Sequence, residues 1–198
     1  MQWILASASP RRKELLRELL SEFAIIPAQG EERADGSLPP ETLVKELARA
    51  KAKEVALLPI ASGKAVLGAD TVVALDGKIL GKPKDEAEAK AMLRALSGNE
   101  HSVYTGVCIV TPSGEEYVEA ACTKVEFNRL SEAFIDEYVK TGSPMDKAGA
   151  YGIQDGGLVK QICGSYSNVV GLPVELLREM LKAIKGSTRV RDERRKDD

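Results

Sequence analysis

The chain has 198 residues, 43% of them hydrophobic and 29% charged, which suits one sizeable domain that buries its own core. Its formal net charge of −2 argues against a general nucleic-acid binder, because such proteins are normally basic. The three cysteines lack CxxC spacing, no apolar run is long enough to span a bilayer, and no signal segment is visible. We therefore expect free thiols, no membrane partner, no nucleic-acid partner and a cytoplasmic location.

Helical and strand patterns mix along the chain. The apolar run "WILA" predicts a first strand, and Pro10, capped by Ser9, opens a helix whose leucines repeat at helical spacing. The run "FAIIPA" predicts a strand, and a long helix follows between Pro40 and Pro59. Further on we predict hairpins turning at 76–77 and 112–114, helices within 84–98 and 130–142, an irregular stretch over 143–172, and a last helix from Pro173 to about Ile184.

These elements predict an α/β fold with an elongated mixed β-sheet flanked by helices. We expect one domain over residues 1–185, because no segment has the composition of a linker. Residues 186–198 contain almost no apolar side chains and are predicted to form a mobile polar tail.

Two adjacent arginines, Arg11 and Arg12, fall on the first turn of the first predicted helix. The N-terminus of a helix carries positive partial charge and exposed N–H groups, so it favours an anion. A strand, a Ser-rich turn with Ser7 and a helix N-terminus together form a common phosphate cradle. The alternative is that both arginines point into solvent.

Charged residues also interrupt apolar patterns. Lys51 completes a spacing-of-four row in the second helix, so it either extends into solvent or points into a cleft that holds an anion. Asp70 lies in the apolar run "AVLGADTVVAL", where a carboxylate is costly unless it is paired or bound. We favour a functional carboxylate over a structural ion pair or turn cap, and expect Gly68 beside it to allow close approach of another group. Thr71 would face the opposite side of a regular strand, or turn toward the site if Asp70 ends the strand.

Other signals are weaker. Lys82 lies at a strand end before Pro83, and Glu31 and Glu32 would ordinarily be solvated charges. His101, the only histidine, is expected to be structural. The chain has no P-loop and no paired-histidine or CxxC motif, so any metal would have oxygen ligands, which suits Mg²⁺ or Mn²⁺.

Several short segments occur along the chain in a characteristic order and spacing: "LASASPRR", "GEER", "LARAKA", "LGADTVV", "GKPKD", "LSG", "DKAGAYGIQ" and "GSYSNVVGLPVELL". Taken together, they resemble the motifs of the Maf family of nucleotide pyrophosphatases. The resemblance covers nearly the whole chain apart from the tail. It implies a Maf/ITPase-like fold with two lobes around a substrate cleft. It also implies hydrolysis of a nucleoside triphosphate to a monophosphate and pyrophosphate, and "SPRR", "GADT" and "YGIQ" resemble the branch acting on dTTP and UTP.

The resemblance also implies roles for single residues. Asp70 would be the general base or, alternatively, mainly a metal ligand, and Glu32 would help to bind the divalent metal. The phosphates would be surrounded by Ser7, Arg11, Arg12, Lys51 and Lys82. Base preference would depend on Arg12, Thr71 and Gln154.

The resemblance leaves some questions open. A homodimer is compatible with the family, and the physiological substrate would be dTTP, UTP or a modified pyrimidine nucleotide. One rival function is a nucleotide-binding regulator of septum formation without essential catalysis, although simple phosphate binding does not need a buried carboxylate. Another rival is a phosphatase that removes only the terminal phosphate.

Overall fold

The computed structural model describes residues 1–30 and 38–194, with 187–194 as backbone. One seven-stranded sheet runs through the described part of the chain. Its strands are β1 (Trp3–Leu5), β2 (Ala24–Ile25), β3 (Ala65–Leu75), β4 (Lys78–Leu80), β5 (Glu100–Val110), β6 (Glu116–Phe127) and β7 (Val159–Cys163). The α-helices are α1 (Pro10–Arg17), α2 (Pro40–Ala56), α3 (Glu86–Leu96), α4 (Glu132–Lys140), α5 (Tyr166–Val170) and α6 (Val174–Arg194).

The strand order is β2-β1-β3-β5-β6-β7, with β4 also paired to β3. Strand β1 is parallel to both β2 and β3, and the other pairs are antiparallel, so the predicted mixed sheet is confirmed. The β3–β4 hairpin turns at Asp76 and Gly77, whose φ angles of 49° and 76° are both positive. Two such residues are typical of the tight turn that the Asp-Gly pair predicts.

One edge of β3 is interrupted, and the interruption creates room for a site. Strand β1 pairs with Ala65–Leu67 on this edge, and β4 pairs with Val73–Leu75 further along it. Among the strands that the structure describes, none pairs with residues 68–72 on that edge, while β5 pairs with the opposite edge throughout. The sheet therefore has a gap beside Asp70.

Helix α2 packs on one face of the sheet at backbone distance. A Cβ atom at Gly68 would lie 2.4 Å from the carbonyl oxygen of Ala48, and one at Gly106 would lie 2.1 Å from that of Val44. Only glycine fits at these two positions, which confirms the close approach expected at Gly68. The other face is covered at one end by α1 and α6 and at the other end by α3 and α4, and each end has its own apolar cluster.

The structure corrects two expectations. The stretch predicted to be irregular contains short 3-10 turns but also strand β7 and the short helix α5. Strand β7 is a five-residue edge strand whose residues are half-buried or exposed, so its sequence carries little alternation. The predicted end of the last helix near Ile184 is wrong, because α6 continues to Arg194. Lysine, arginine and glutamate are good helix formers, so a lack of apolar residues does not end a helix. No helix in the described residues is long and apolar enough to cross a membrane.

Candidate active site

A cleft of about 610 Å³ opens at the gap in the sheet. Its walls come from the turn between β1 and α1, from α2, from the segment after β4 and from residues 146–154. Every predicted site residue that the structure describes lines it, namely Ser7, Arg11, Arg12, Lys51, Asp70, Thr71, Lys82 and Gln154. Glu32, the other predicted metal ligand, lies outside the described residues. The cleft therefore brings together residues that are up to 147 positions apart in the sequence, from Ser7 to Gln154.

Asp70 and Lys51 form an ion pair at the floor of the cleft. The Lys51 Nζ atom lies 2.5 Å from Asp70 Oδ1, and the side chains are 17% and 9% exposed. Asp70 lies directly opposite Gly106 in the β3–β5 ladder, so the glycine contact brings α2 close enough for Lys51 to reach it. Lys51 thus points into the cleft rather than into solvent. A charge this buried needs such a partner.

Arg12 crosses the cleft from α1 and is fixed by several acceptors. Its Nε donates to the carbonyl of Gly171 at 2.9 Å, Nη1 donates to Ser7 Oγ at 3.3 Å, and Nη2 donates to Thr71 Oγ1 at 3.1 Å. The expected helix start is confirmed, because Ser9 caps α1 by accepting from the Arg12 backbone N–H. These contacts orient the guanidinium.

Thr71 reaches the cleft by a route that the sequence did not indicate. Strand β3 continues to Leu75, so Asp70 does not end it, and Thr71 faces the side opposite Asp70. Both residues nevertheless line the cleft, because the unpaired stretch 68–72 leaves the edge of β3 accessible from both faces. The alternative in which Thr71 turns at a strand end is therefore wrong.

Arg11 forms an ion pair across the mouth of the cleft with a residue that sequence reasoning missed. Its Nη1 lies 3.1 Å from Asp146 Oδ2, and Lys147 Nζ lies 2.8 Å from Asp146 Oδ1. Burial raises the pKa of the Asp146 carboxyl, but hydrogen bonds from Lys147 and Arg11 outweigh it and hold that pKa below its ordinary value. The sequence signal for this residue is the charged pair Asp146-Lys147, which opens the Maf-like segment "DKAGAYGIQ".

Gln154 lies on a short 3-10 turn, Ile153–Asp155, that is held by its neighbours. The Tyr138 hydroxyl donates to Asp155 Oδ2 at 2.5 Å, the Ser143 hydroxyl donates to the same oxygen at 2.7 Å, and the Gly152 N–H donates to the Tyr138 oxygen at 3.0 Å. Burial raises the pKa of Asp155, but the hydrogen bonds from Tyr138 and Ser143 outweigh it and the net pKa is lowered. Asp155, which the sequence left without a role, anchors the turn that carries Gln154.

Lys82 also lines the cleft and follows β4 by two residues. The carbonyl of Gly81 accepts a hydrogen bond from the Gly149 N–H at 3.0 Å, which fixes the chain before Lys82. Gly149 has a φ of 69°, and a Cβ there would lie 2.9 Å from the Val73 side chain. The segment beside Lys82 therefore needs glycine for both its backbone angle and its packing.

His101 lies outside the cleft. It is buried against Phe127 and Tyr151, and its Nε2 is 2.8 Å from the Tyr151 hydroxyl. Burial lowers the pKa of His101 to about 4. The expectation that this histidine is structural agrees with its place in the apolar core.

The model of the family described as "Maf-like protein" matches residues 2–184 of this chain. The chain belongs to the Maf family. Among curated proteins, a dTTP/UTP pyrophosphatase of Thermococcus kodakarensis is 52% identical over 176 residues, which are 88% of this chain and 92% of the relative. A dTTP/UTP pyrophosphatase of Lacticaseibacillus casei is 47% identical over 182 residues, 91% of this chain and 97% of the relative.

Solved structures support the fold. The Ham1 protein of Staphylococcus aureus superposes with a TM-score of 0.53 at 16% identity, covering 92% of this chain and 99% of that protein. A HAM1 protein of Coxiella burnetii gives a TM-score of 0.52 at 18% identity with the same coverage. The mixed sheet flanked by helices that the Maf resemblance implied is thus confirmed.

Proposed function

We propose that this Maf protein hydrolyses dTTP and UTP to the nucleoside monophosphate and pyrophosphate. The observation that carries the proposal is a buried carboxylate, Asp70, on the floor of a cleft whose walls carry cations. Its curated relatives, which share about half of its residues, bear the name of this activity.

The cationic side chains suit a triphosphate. Arg11 and Arg12 come from the N-terminal turn of α1, Lys51 comes from α2, and Lys82 comes from the segment after β4. A polyanion between these side chains would neutralise their mutual repulsion. Hydrolysis that releases pyrophosphate builds negative charge on the leaving group, and fixed cations stabilise that charge. Ser7, whose hydroxyl accepts from Arg12, would add a hydrogen bond to the phosphates.

Asp70 is the proposed general base. In the free protein Lys51 donates to its Oδ1 atom, so the carboxylate is compensated before substrate arrives. The phosphates of a nucleotide offer Lys51 a competing anion, and a shift of the ammonium toward them would leave Asp70 able to accept the proton of the attacking water. The same movement would place positive charge beside the phosphates.

A divalent metal is part of the proposal. The described residues include no cluster of three or more His, Cys, Asp or Glu side chains that could hold one. The carboxylate of Asp70 is nevertheless a hard oxygen ligand that suits Mg²⁺ or Mn²⁺, and these ions commonly bind through one or two carboxylates together with substrate phosphates. Asp70 and Glu32 would hold the ion, which would neutralise phosphate charge when bound.

Gln154 is the proposed reader of the base. Its amide has both an acceptor and a donor, so it can pair with the O4 and N3–H edge of uracil or thymine. Cytosine carries an amine in place of O4, which reverses one of these hydrogen bonds. Gln154 is exposed in the free protein, and a base bound in the cleft would cover it. A wrong base would then leave a covered polar group unpaired, so the preference can be steep.

The test is a panel of UTP, dTTP, CTP and GTP with Mg²⁺ or Mn²⁺, scored separately for pyrophosphate and orthophosphate. We expect pyrophosphate from UTP and dTTP, and we expect Gln154→Ala to reduce the preference for UTP over CTP. Orthophosphate as the main product would instead support a terminal phosphatase. Tight nucleotide binding without turnover would support the regulatory alternative.

A further inference from the structure

A chain of hydrogen bonds leads from the cleft into the core. Arg12 Nη2 donates to Thr71 Oγ1 at 3.1 Å, and Thr71 Oγ1 lies 2.9 Å from Thr105 Oγ1. Thr105 Oγ1 in turn donates to the backbone carbonyl of Asn168 at 3.0 Å. Thr105 lies directly opposite Thr71 in the β3–β5 ladder and is 0% exposed.

The chemistry of the two ends fixes the direction of this chain. A carbonyl oxygen can only accept, so the single hydroxyl proton of Thr105 is committed to Asn168. The proton between the two threonines must therefore belong to Thr71. A guanidinium can only donate, so Thr71 also accepts from Arg12. Thr71 has then used its only proton, so toward a ligand in the cleft it can act only as a hydrogen-bond acceptor.

The acceptor at the end of the chain is rigidly placed. Asn168 is 0% exposed, and its Nδ2 donates to the carbonyl of Val103 at 3.0 Å and to Thr123 Oγ1 at 2.9 Å. The same backbone carbonyl of Asn168 also accepts from the Gly171 N–H at 3.1 Å, and the carbonyl of Gly171 holds Arg12. Reversing the direction of these hydrogen bonds would leave the Thr105 hydroxyl oxygen and the Asn168 carbonyl oxygen 3.0 Å apart with no proton between them, which is repulsive.

We infer that Thr105 is a positioning residue for base selection: it fixes the proton of Thr71 so that Thr71 accepts a hydrogen bond from N3–H of uracil or thymine. Cytosine carries a bare acceptor at N3, so it would place two lone pairs against each other. Thr71, rather than the carbonyl of the Gln154 amide, would then accept from N3–H, and Gln154 would act on the base only as the donor to O4. This inference rests on the proposed function and adds to it a residue that touches no substrate.

The test compares kcat/KM for UTP and CTP in Thr105→Val and Thr105→Ser. In Thr105→Val the Thr71 hydroxyl loses its fixed acceptor and can turn its proton toward N3 of cytosine. We expect the ratio of UTP to CTP to fall by about tenfold, mainly through improved CTP turnover, because one hydrogen bond changes sign. Thr105→Ser keeps the hydroxyl, so its ratio of UTP to CTP should stay within about twofold of that of the unmodified protein.

A matched control separates this role from structural loosening. Thr111 is also buried and lies just after β5. Its hydroxyl forms hydrogen bonds with the Ser113 hydroxyl and the Glu115 backbone N–H, and so takes no part in the hydrogen bonds that link Arg12 to Asn168. Thr111→Val should leave the UTP/CTP ratio unchanged even if the melting temperature falls. If Thr105→Val does not fold, Thr105→Cys replaces it with the same expected change, since a thiol is a weak hydrogen-bonding group.

The outcomes distinguish the two proposals. If the unmodified protein fails to release pyrophosphate from UTP and dTTP, the proposed function is wrong. If it prefers UTP over CTP and the folded Thr105 variants keep the full preference, only the role of Thr105 is wrong. An equal loss of preference in Thr105→Ser and Thr105→Val would also overturn it, because the serine retains the hydroxyl.

Discussion

Replacing Gly106 with alanine should push helix α2 away from the sheet and disturb the active site. The new Cβ would lie 2.1 Å from the carbonyl oxygen of Val44, 2.4 Å from its carbonyl carbon and 2.8 Å from the backbone nitrogen of Lys45. These are backbone atoms, so no side chain can rotate to relieve the clash. Helix α2 must retreat by roughly 1 Å to restore ordinary van der Waals contact.

The cost follows from this geometry. Overpacking of a core costs about 1–3 kcal/mol, and we expect the upper end because backbone meets backbone. A loss of about 3 kcal/mol lowers the melting temperature of a protein of this size by roughly 6–12 °C. Helix α2 also carries Lys51, and Asp70 pairs directly with Gly106 in the ladder. A displacement of this size in an active site can cost about 100-fold in rate, so kcat/KM should fall by more than the folded fraction explains.

The assay is thermal unfolding followed by circular dichroism, together with pyrophosphate release from UTP. Gly186→Ala is the control, because Gly186 lies in α6 and a Cβ there would meet no atom within 4 Å. That change should be neutral or stabilise by about 1 kcal/mol or less, since alanine favours a helix over glycine. An unaltered melting temperature and kcat/KM in Gly106→Ala would refute the backbone contact between α2 and the sheet.

Three further predictions concern charge. Lys51→Met should lower the free energy of unfolding by about 3 kcal/mol in urea titrations, because it leaves the buried Asp70 carboxylate unpaired. Adding Asp70→Asn should recover most of that loss, and a double variant as unstable as Lys51→Met alone would contradict the ion pair. Arg11→Ala and Lys82→Ala should each lower kcat/KM by about tenfold or more with little change in melting temperature; lost stability with unchanged activity of the folded fraction would mark a structural residue instead. Because burial lowers the pKa of His101 from 6.5 to about 4, the unfolded state binds the extra proton between these values, so stability should fall as the pH drops from 6.5 to 4. His101→Gln should remove about 3 kcal/mol of this pH dependence in unfolding titrations at pH 7 and pH 4, and an unchanged dependence would count against a buried neutral imidazole.

The sequence predicted much of the fold because its local signals agree with the final structure. The caps at Ser9 and Ser131, the turn at Asp76–Gly77 and the apolar run of β3 are all signals carried by neighbouring residues. Strand β7 is different, because an exposed edge strand needs its partner β6 rather than its own pattern. The end of α6 was missed because helix length there does not depend on an apolar stripe.

The site was predictable where a residue type conflicts with its surroundings. Asp70 in an apolar strand pointed to a functional site, whereas Lys51 in an apolar row was compatible with either solvent or a cleft, and the structure pairs the two. Thr71 was marked only by its resemblance to the family's "GADT" motif, and Thr105 is an ordinary strand residue that nothing local marks. Their role depends on the register between β3 and β5 and on the gap beside β1, both of which arise from contacts far apart in the chain.

The central claim is that Asp70 drives hydrolysis of the nucleotide to pyrophosphate. The most direct measurement compares pyrophosphate release from UTP by the unmodified protein and by Asp70→Asn, with folding checked by circular dichroism and nucleotide affinity checked by calorimetry. We expect the unmodified protein to release one pyrophosphate per monophosphate, and we expect Asp70→Asn to fold and bind UTP but to lose at least about 99% of kcat, because an amide does not accept the proton. A folded Asp70→Asn protein that releases pyrophosphate at a near-normal rate would contradict the claim.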